Sequence, residues 1–383
     1  MTGTALTRPG QRERLPVKLA EIDWRLVGLL CLVAGVGAMM LYSLGGTSWE
    51  PWAANHVLRV GVCVVIMLVL SLVNLRIWFA TAYPIYFAAL VLLVAVELFG
   101  YTVNNAKSWL DLGVTRIQPS ELMKIGVVLA LARWYHGASA QDARLSWKLI
   151  IPAAIIGVPV LLVADQPDLG TAMLIAMTGG AMMFMAGLSW RLVAAAAAAA
   201  AVAIPLFVQF VLHEYQRQRV LTFLTPEADP PGRGYHIMQS KIAMGSGGFL
   251  GKGFGLGSQS QLEFLPEKQT DFIFAALAEE FGFVGSFSVL LIYAAIIVIA
   301  LRIATLSHSH FGRMAAAGVT ATFAVYILIN GAMVMGLAPV VGVPMPLLSY
   351  GGTVLLTVMV GFGLIQAVRV HRYLELPKGR GLF

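Results

Sequence analysis

The chain has 383 residues, 58% of them hydrophobic and only 12% charged, with a mean hydropathy of +0.80. Soluble domains carry roughly a quarter charged residues, so the solvent for most of this chain is lipid. The formal charge of +7 fits membrane topology and attraction to anionic headgroups, not nucleic-acid binding.

A bilayer core about 30 Å thick needs about 20 apolar residues per helix. In chain order the predicted spans are 24–44, 57–73, 77–98, 121–135, 149–164, 169–187, 192–212, 272–301, 314–337 and 346–368. The spans at 121–135 and 149–164 are short and are expected to need shelter inside a bundle. Polar residues precede the first span and no small-residue cleavage site follows it, which predicts an uncleaved anchor. Cys31 and Cys63 lie mid-span on different helices and imply neither a disulfide framework nor a metal site.

Cations set the orientation. The N-terminal tail carries Arg8, Arg12, Arg14 and Lys18, and the C-terminal tail Arg369, Arg372, Lys378 and Arg380. Even-numbered connections hold Arg76, Arg144, Lys148, Arg191, Arg302 and Arg313, whereas odd-numbered ones are poor in cations. The expected fold is therefore an all-α polytopic membrane protein of ten transmembrane helices with both termini cytoplasmic. Its parts are a tail over 1–23, helices 1–7 over 24–213, one large extracytoplasmic loop over 214–271, helices 8–10 over 272–372, and a tail over 373–383. The alanine run Ala194–Ala201 reads as close helix packing, because small side chains let helices approach in lipid.

Charged residues inside such a chain cost about 2.5–3.5 kcal/mol each on insertion scales and find partners. Glu121 and Lys124 are three residues apart on one helical face. They read either as a neutralising pair that holds a short helix or as the charged wall of a wet cavity. Asp165, Asp168 and Glu97 stand near span ends, and Glu279 and Glu280 two turns into the span after the long loop. One of the last two is expected to face protein or water.

The long loop holds seven glycines between Gly245 and Gly257. They read either as a tightly turned hinge or as backbone N–H groups presented to phosphate. The Walker pattern fails, since Ser246 stands where its first glycine belongs and Gly253 follows Lys252; an ATPase is excluded. The loop cations Arg217, Arg219, Arg233, Lys241, Lys252 and Lys268 are balanced by six carboxylates, which surface pairing would explain; Arg is also suited to pyrophosphate. Asp271 ends the loop, and Thr270 and Asp271 resemble the polar start of the next helix. Asp271 reads as an ordinary helix-start acid or as a base strengthened by desolvation. In the first helical turn the dipole would oppose that shift.

Several stretches, taken together, resemble the SEDS family (shape, elongation, division, sporulation), nearer its rod-shape than its division members. They are Gln118 to Lys124, Gln166 to Thr171, Tyr215 to Arg219 with Phe223, and Asp229-Pro230 with Gly234-Tyr235. They continue through Gln239-Ser240, Gly245 to Gly248, Phe264 to Glu267, Thr270 to Phe274 and Pro346 to Gly352. They run in family order over nearly the whole chain.

The resemblance implies a glycosyltransferase of the bacterial cytoplasmic (inner) membrane. It would polymerise lipid II into β-1,4-linked glycan on the extracytoplasmic face, with Asp271 essential and Glu121 and Lys124 a functional pair. Asp168, Arg219, Gln239, Ser240, Lys252, Glu267 and Thr270 join them as expected substrate contacts. It also implies a class B penicillin-binding transpeptidase as partner, alongside other elongation-complex membrane proteins and membrane lipids. A divalent cation, Mg2+ or Mn2+, near the pyrophosphate is a further option, and no organic cofactor is implied. Two positions depart from the family pattern: Gln269 stands where many relatives carry His, and Asn105 to Trp109 differs from the usual run of that outer loop. A lipid II flippase and a non-catalytic scaffold are the rival functions.

Overall fold

In lipid a backbone can hydrogen-bond only to itself or to protein, so uninterrupted apolar runs fold as helices. The computed structural model describes residues 15–103, 106–111, 116–139, 147–166, 168–195, 198–199, 233–265 and 267–377. Its helices are α1 (Leu15–Glu21), α2 (Trp24–Leu44), α3 (Ala53–Ser71), α4 (Leu75–Phe99), α5 (Pro119–Gly137), α6 (Ile150–Asp165) and α7 (Leu169–Met185). They continue as α8 (Arg233–Gly247), α9 (Ser258–Gln261), α10 (Ile273–Leu306), α11 (His310–Val334) and α12 (Gly352–Val370). Side-chain caps mark several starts: Asp23 accepts from the Leu26 N–H, Asn74 from Arg76, Asp168 from Thr171 and Ser309 from Gly312. Among the described residues seven helices are long and apolar enough to cross a membrane, and α7, at 17 residues, is a shorter apolar helix.

Burial sorts these helices into core and rim. In α11, 72% of the apolar window is buried, against 22% in α3 and 17% in the helical run Trp147–Asp165. The core therefore forms around α11, which packs against α5, α7 and α10. Helix α5 is buried at almost every position from Pro119 to Ala132, so this short span does find shelter. The other short span is not sheltered: in α6 only Pro152, Pro159 and Val163 are buried, and the run Trp147–Asp165 that contains it reaches a mean hydropathy of 2.2 even with Lys148 included. Its apolar surface is itself the lipid contact.

Two predicted boundaries move furthest, and one connection gains strands. The span expected at 272–301 runs to Leu306 but is broken at Gly282, whose φ of 66° and ψ of −161° suit glycine alone. The span expected from 346 begins at Gly352, because residues 346–351 form turns that grip neighbouring backbone. Between α4 and α5 lies a small antiparallel meander, β1 (Tyr101–Val103), β2 (Ala106–Asp111) and β3 (Arg116–Ile117), so the fold is mostly rather than wholly helical. An aromatic and β-branched Tyr-Thr-Val run after Gly100 favours strand there. The span predicted at 192–212 lies mostly outside the described residues, and Arg217, Arg219 and the loop stretch 226–232 lie wholly outside them.

Candidate functional site

Residues 267–272 pass into α10 through a turn that neighbouring segments hold by its carbonyls. Tyr350 N–H donates to Gln269 O at 2.8 Å, Ser349 Oγ to Thr270 O at 2.6 Å, and Asn330 Nδ2 to Asp271 O at 2.8 Å. Asn330 also donates to Val343 O at 2.7 Å, and Ser349 Oγ accepts from Met345 N–H at 2.8 Å. Tyr293 OH donates to Pro346 O at 2.5 Å. The stretch from Pro346 to Gly352 is thus a clamp on the turn, seated against α2: a Cβ on Gly37 would fall 2.7 Å from Leu347 O and Leu348 O.

Asp271 itself precedes the N-cap Phe272, which makes no side-chain cap. It is therefore outside the first helical turn. Its backbone is fixed and its side chain half-buried, with Gly342 against Oδ2. Among the described residues no donor bonds its carboxylate. Burial, and secondarily the like charge of Glu267, push its pKa up to about 6. Glu267 is exposed, and its Oε2 accepts from Thr270 Oγ1 at 3.1 Å.

The second cluster lies along α11. Lys124 Nζ meets Glu121 Oε1 at 2.6 Å, and both side chains are buried. Tyr326 completes the knot, donating to Glu121 Oε2 at 3.2 Å and contacting Lys124 Nζ. Tyr326 and Asn330 are four residues apart on one face, about 6 Å along the axis. A single helix face thus joins the Glu121–Lys124 pair to the Asp271 turn. Below them an apolar pocket is lined by Lys124, Val128, Phe323, Tyr326, Val358 and Phe362. At the start of α7, Asp168 caps Thr171 through Oδ1 and accepts from Gln118 Nε2 at 3.1 Å through Oδ2. The neighbouring Gly170 abuts Val341 O, next to Gly342, on which a Cβ would fall 3.7 Å from Asp271 Oδ2.

In the third cluster one carboxylate, Glu279, is fully engaged, while Oε2 of its neighbour Glu280 is buried without a partner among the described residues. Glu279, fully buried in α10, accepts from Lys252 Nζ (2.7 Å), Gln259 N–H (2.9 Å), Ser260 N–H (3.2 Å), Ser260 Oγ (3.1 Å) and Ser258 Oγ (3.3 Å). Glu280 accepts from Ser43 Oγ at 2.5 Å. The glycine segment repairs the break at Gly282. Lys252 N–H donates to Glu279 O and Gly253 N–H to Glu280 O, while Phe283 and Val284 N–H donate to Gly248 O and Phe249 O. Close backbone approach demands the glycines: a Cβ on Gly251 would sit 2.1 Å from Glu280 O, and one on Gly247 2.0 Å from Ala278 O.

Of the site residues expected from sequence, the structure gathers Asp271, Thr270 and Glu267 in one turn and ties Glu121, Lys124 and Asp168 to the helices beside it. Lys252 is engaged by Glu279 instead. Ser240 is buried and donates to Val334 O at 2.8 Å, anchoring α8 to the end of α11. Gln239 is half-buried on α8, and Arg219 lies outside the described residues. Sequence reasoning missed Tyr326, Asn330 and Ser349. The available signal was a pair of uncharged polar residues at i and i+4 in an apolar span, which a search for ionisable groups passes over.

Fold and site together define a multi-pass membrane protein with a clamped, undersatisfied carboxylate at the mouth of its helical core. The FtsW/RodA/SpoVE family, described as cell cycle protein, matches residues 19–374. The peptidoglycan glycosyltransferase MrdB of Escherichia coli (strain K12) is 46% identical over 352 residues, covering 92% of this chain and 94% of that protein. Stage V sporulation protein E of Bacillus subtilis (strain 168) is 32% identical, covering 94% and 100%. Among solved structures, a chain from a peptidoglycan synthase complex that coordinates polymerization and crosslinking superposes with a TM-score of 0.80 at 30% identity, covering 92% and 98%. The Thermus thermophilus rod shape determining protein RodA gives 0.69 at 27% identity, with the same coverage. The chain belongs to the FtsW/RodA/SpoVE (SEDS) family.

Proposed function

We propose that this chain is a peptidoglycan glycosyltransferase that polymerises lipid II at the outer face of the cytoplasmic membrane, with Asp271 as general base. The observation that carries the assignment is Asp271 itself: its backbone is held rigidly while its carboxylate has no donor among the described residues. A carboxyl with a pKa near 6 is ionised at neutral pH yet basic enough to accept a proton, which suits general-base work. The family relationship to named glycosyltransferases supports the substrate class.

In this reading the 4-hydroxyl of an acceptor GlcNAc attacks C1 of a donor MurNAc linked α to undecaprenyl pyrophosphate. The new C1–O bond forms with inversion to β-1,4, the C1–O bond to pyrophosphate breaks, and Asp271 takes the hydroxyl proton. The leaving pyrophosphate carries away the electron pair and needs positive charge nearby. Glycine N–H groups are poor candidates, because those of Gly251, Lys252 and Gly253 already donate to backbone carbonyls. Lys124 and Arg219 remain. The apolar pocket beside Lys124 and Tyr326 supports a path for an apolar tail between helices.

Among the described residues no group of three or more His, Cys, Asp or Glu side chains gathers as a metal site. Mg2+ commonly needs only one or two carboxylates plus substrate phosphate oxygens, and the exposed Glu267 fits that donor set. A cation there would neutralise pyrophosphate charge. Ten spans with cytoplasmic termini, the loop 214–271 outside, and a class B penicillin-binding transpeptidase as partner complete the proposal. The structural likeness to a complex of polymerization and crosslinking supports that partner.

The test is direct. Purified protein in detergent is given lipid II, with no membrane to cross, with and without a chelator. Glycan chains are expected; their absence from folded protein, supplied with divalent cation and its transpeptidase, would overturn the reading in favour of transport or scaffolding. A rate unchanged by chelator would remove the cation alone.

A further inference from the structure

From Gly248 to Leu256 the glycine segment turns its one charged side chain, Lys252, onto Glu279 and its large apolar side chains outward. Phe249 and Leu250 are 68% and 77% exposed, and Leu256 67%. The Phe249 ring stacks on Phe283 (centroids 5.7 Å apart), and Phe283 on Phe287 (5.5 Å). Phe283 and Phe287 lie just past the Gly282 break, on the outward face of a helix long and apolar enough to cross the membrane. They too are largely exposed. One aromatic column therefore runs from the loop tip onto the lipid-facing wall of α10. A second contact repeats the pattern. Phe254 stacks on Tyr42 at the end of α2, and Tyr42 meets the exposed Trp49 edge-on at 5.4 Å.

The tip cannot swing free of this wall, because Phe283 and Val284 N–H donate to Gly248 O and Phe249 O at 2.9 and 3.2 Å. Gly248, Phe249 and Leu250 carry no charge, and the nearest cation, Lys252, is turned inward onto Glu279. A loop surrounded by water would present polar side chains at such positions. Aromatic residues at the ends of spanning helices belong to the membrane–water interface.

We infer that residues 248–256 form an interfacial anchor whose occupant is the bilayer itself, with Phe249 and Leu250 seated among the phospholipid acyl chains. The argument for lipid over a protein partner is continuity: the loop face prolongs the lipid-exposed face of α10 without a step in polarity. The anchor would fix the depth of the Glu279–Lys252 knot. It would also fix the Asp271 turn, which Lys268 joins to that knot by donating to Ser260 O at 2.8 Å. This inference does not depend on the proposed activity.

The test uses the full chain in phospholipid nanodiscs with Cys31→Ala and Cys63→Ala. An environment-sensitive fluorophore is placed at Leu250→Cys, at Leu256→Cys as a second site, and at the exposed Glu263→Cys as a control. The expected result at 250 and 256 is blue-shifted emission, strong quenching by lipids doxyl-labelled near the headgroup, and several-fold weaker quenching by aqueous iodide than at 263. Iodide quenching equal to the control, without doxyl quenching, would overturn the anchor. So would doxyl quenching that disappears in nanodiscs containing a co-purified membrane partner, since the face would then belong to protein.

Discussion

Asp271 and Glu279 stand eight residues apart at the same end of α10, and their surroundings are opposite. Glu279 accepts five hydrogen bonds and pairs with Lys252; Asp271 is fixed by its main chain, while its side-chain oxygens meet no donor among the described residues. A carboxylate with every lone pair engaged stabilises a structure and has nothing left for a substrate. One whose neighbours hold only its carbonyl is positioned yet reactive. On this difference Glu279 is placed as a structural acid, and Asp271 is the one that the proposed mechanism can use.

Substitutions at the two acids sharpen this contrast. Asp271→Asn keeps the shape and removes the base, so initial rates of glycan polymerisation should fall by about 10²–10⁴-fold with thermal unfolding unchanged. Wild-type rates from this variant would dispose of the base assignment. Glu279→Ala should do the reverse. It strands buried donors and the Lys252 ammonium, costing about 3 kcal/mol, seen as a lowered melting temperature while rate per folded molecule survives. A variant that melts normally would show that the knot is dispensable.

Intermediate effects belong to the residues that link the clusters. Asn330→Ala releases Asp271 O and Val343 O, and about 1.4 kcal/mol of lost positioning corresponds to a tenfold drop in kcat with little change in KM. A change confined to KM would instead make Asn330 a binding residue. Tyr326→Phe removes one hydroxyl from the Glu121–Lys124 pair, a loss of about 1 kcal/mol, and activity should fall only a few-fold. The pair itself is probed by exchanging the two charges: singly substituted variants that stay active, with no recovery on exchange, would make it incidental.

Sequence made the lipid-facing parts easy to read, because α2, α3, α4 and α6 owe their form to runs of apolar residues. The Glu121–Lys124 contact also follows from spacing alone. Nothing local foretells the clamp from Pro346 to Gly352, since its partners Gln269 and Thr270 lie some eighty positions away. The break at Gly282 was equally hidden, because its cost is offset by carbonyls and N–H groups of the distant glycine segment. The glycines read as a hinge or a phosphate cradle; close contact with α10 explains three of the seven, Gly247, Gly251 and Gly257.

The central claim is tested most directly by the pH dependence of polymerisation in detergent, for wild type and Glu267→Gln. The base form of Asp271 fills as pH rises, so the rate should climb with a midpoint near its pKa of about 6. Removing the like charge at Glu267 should move that midpoint to lower pH. A rate flat between about pH 4 and 8, or a midpoint indifferent to Glu267, would contradict the account.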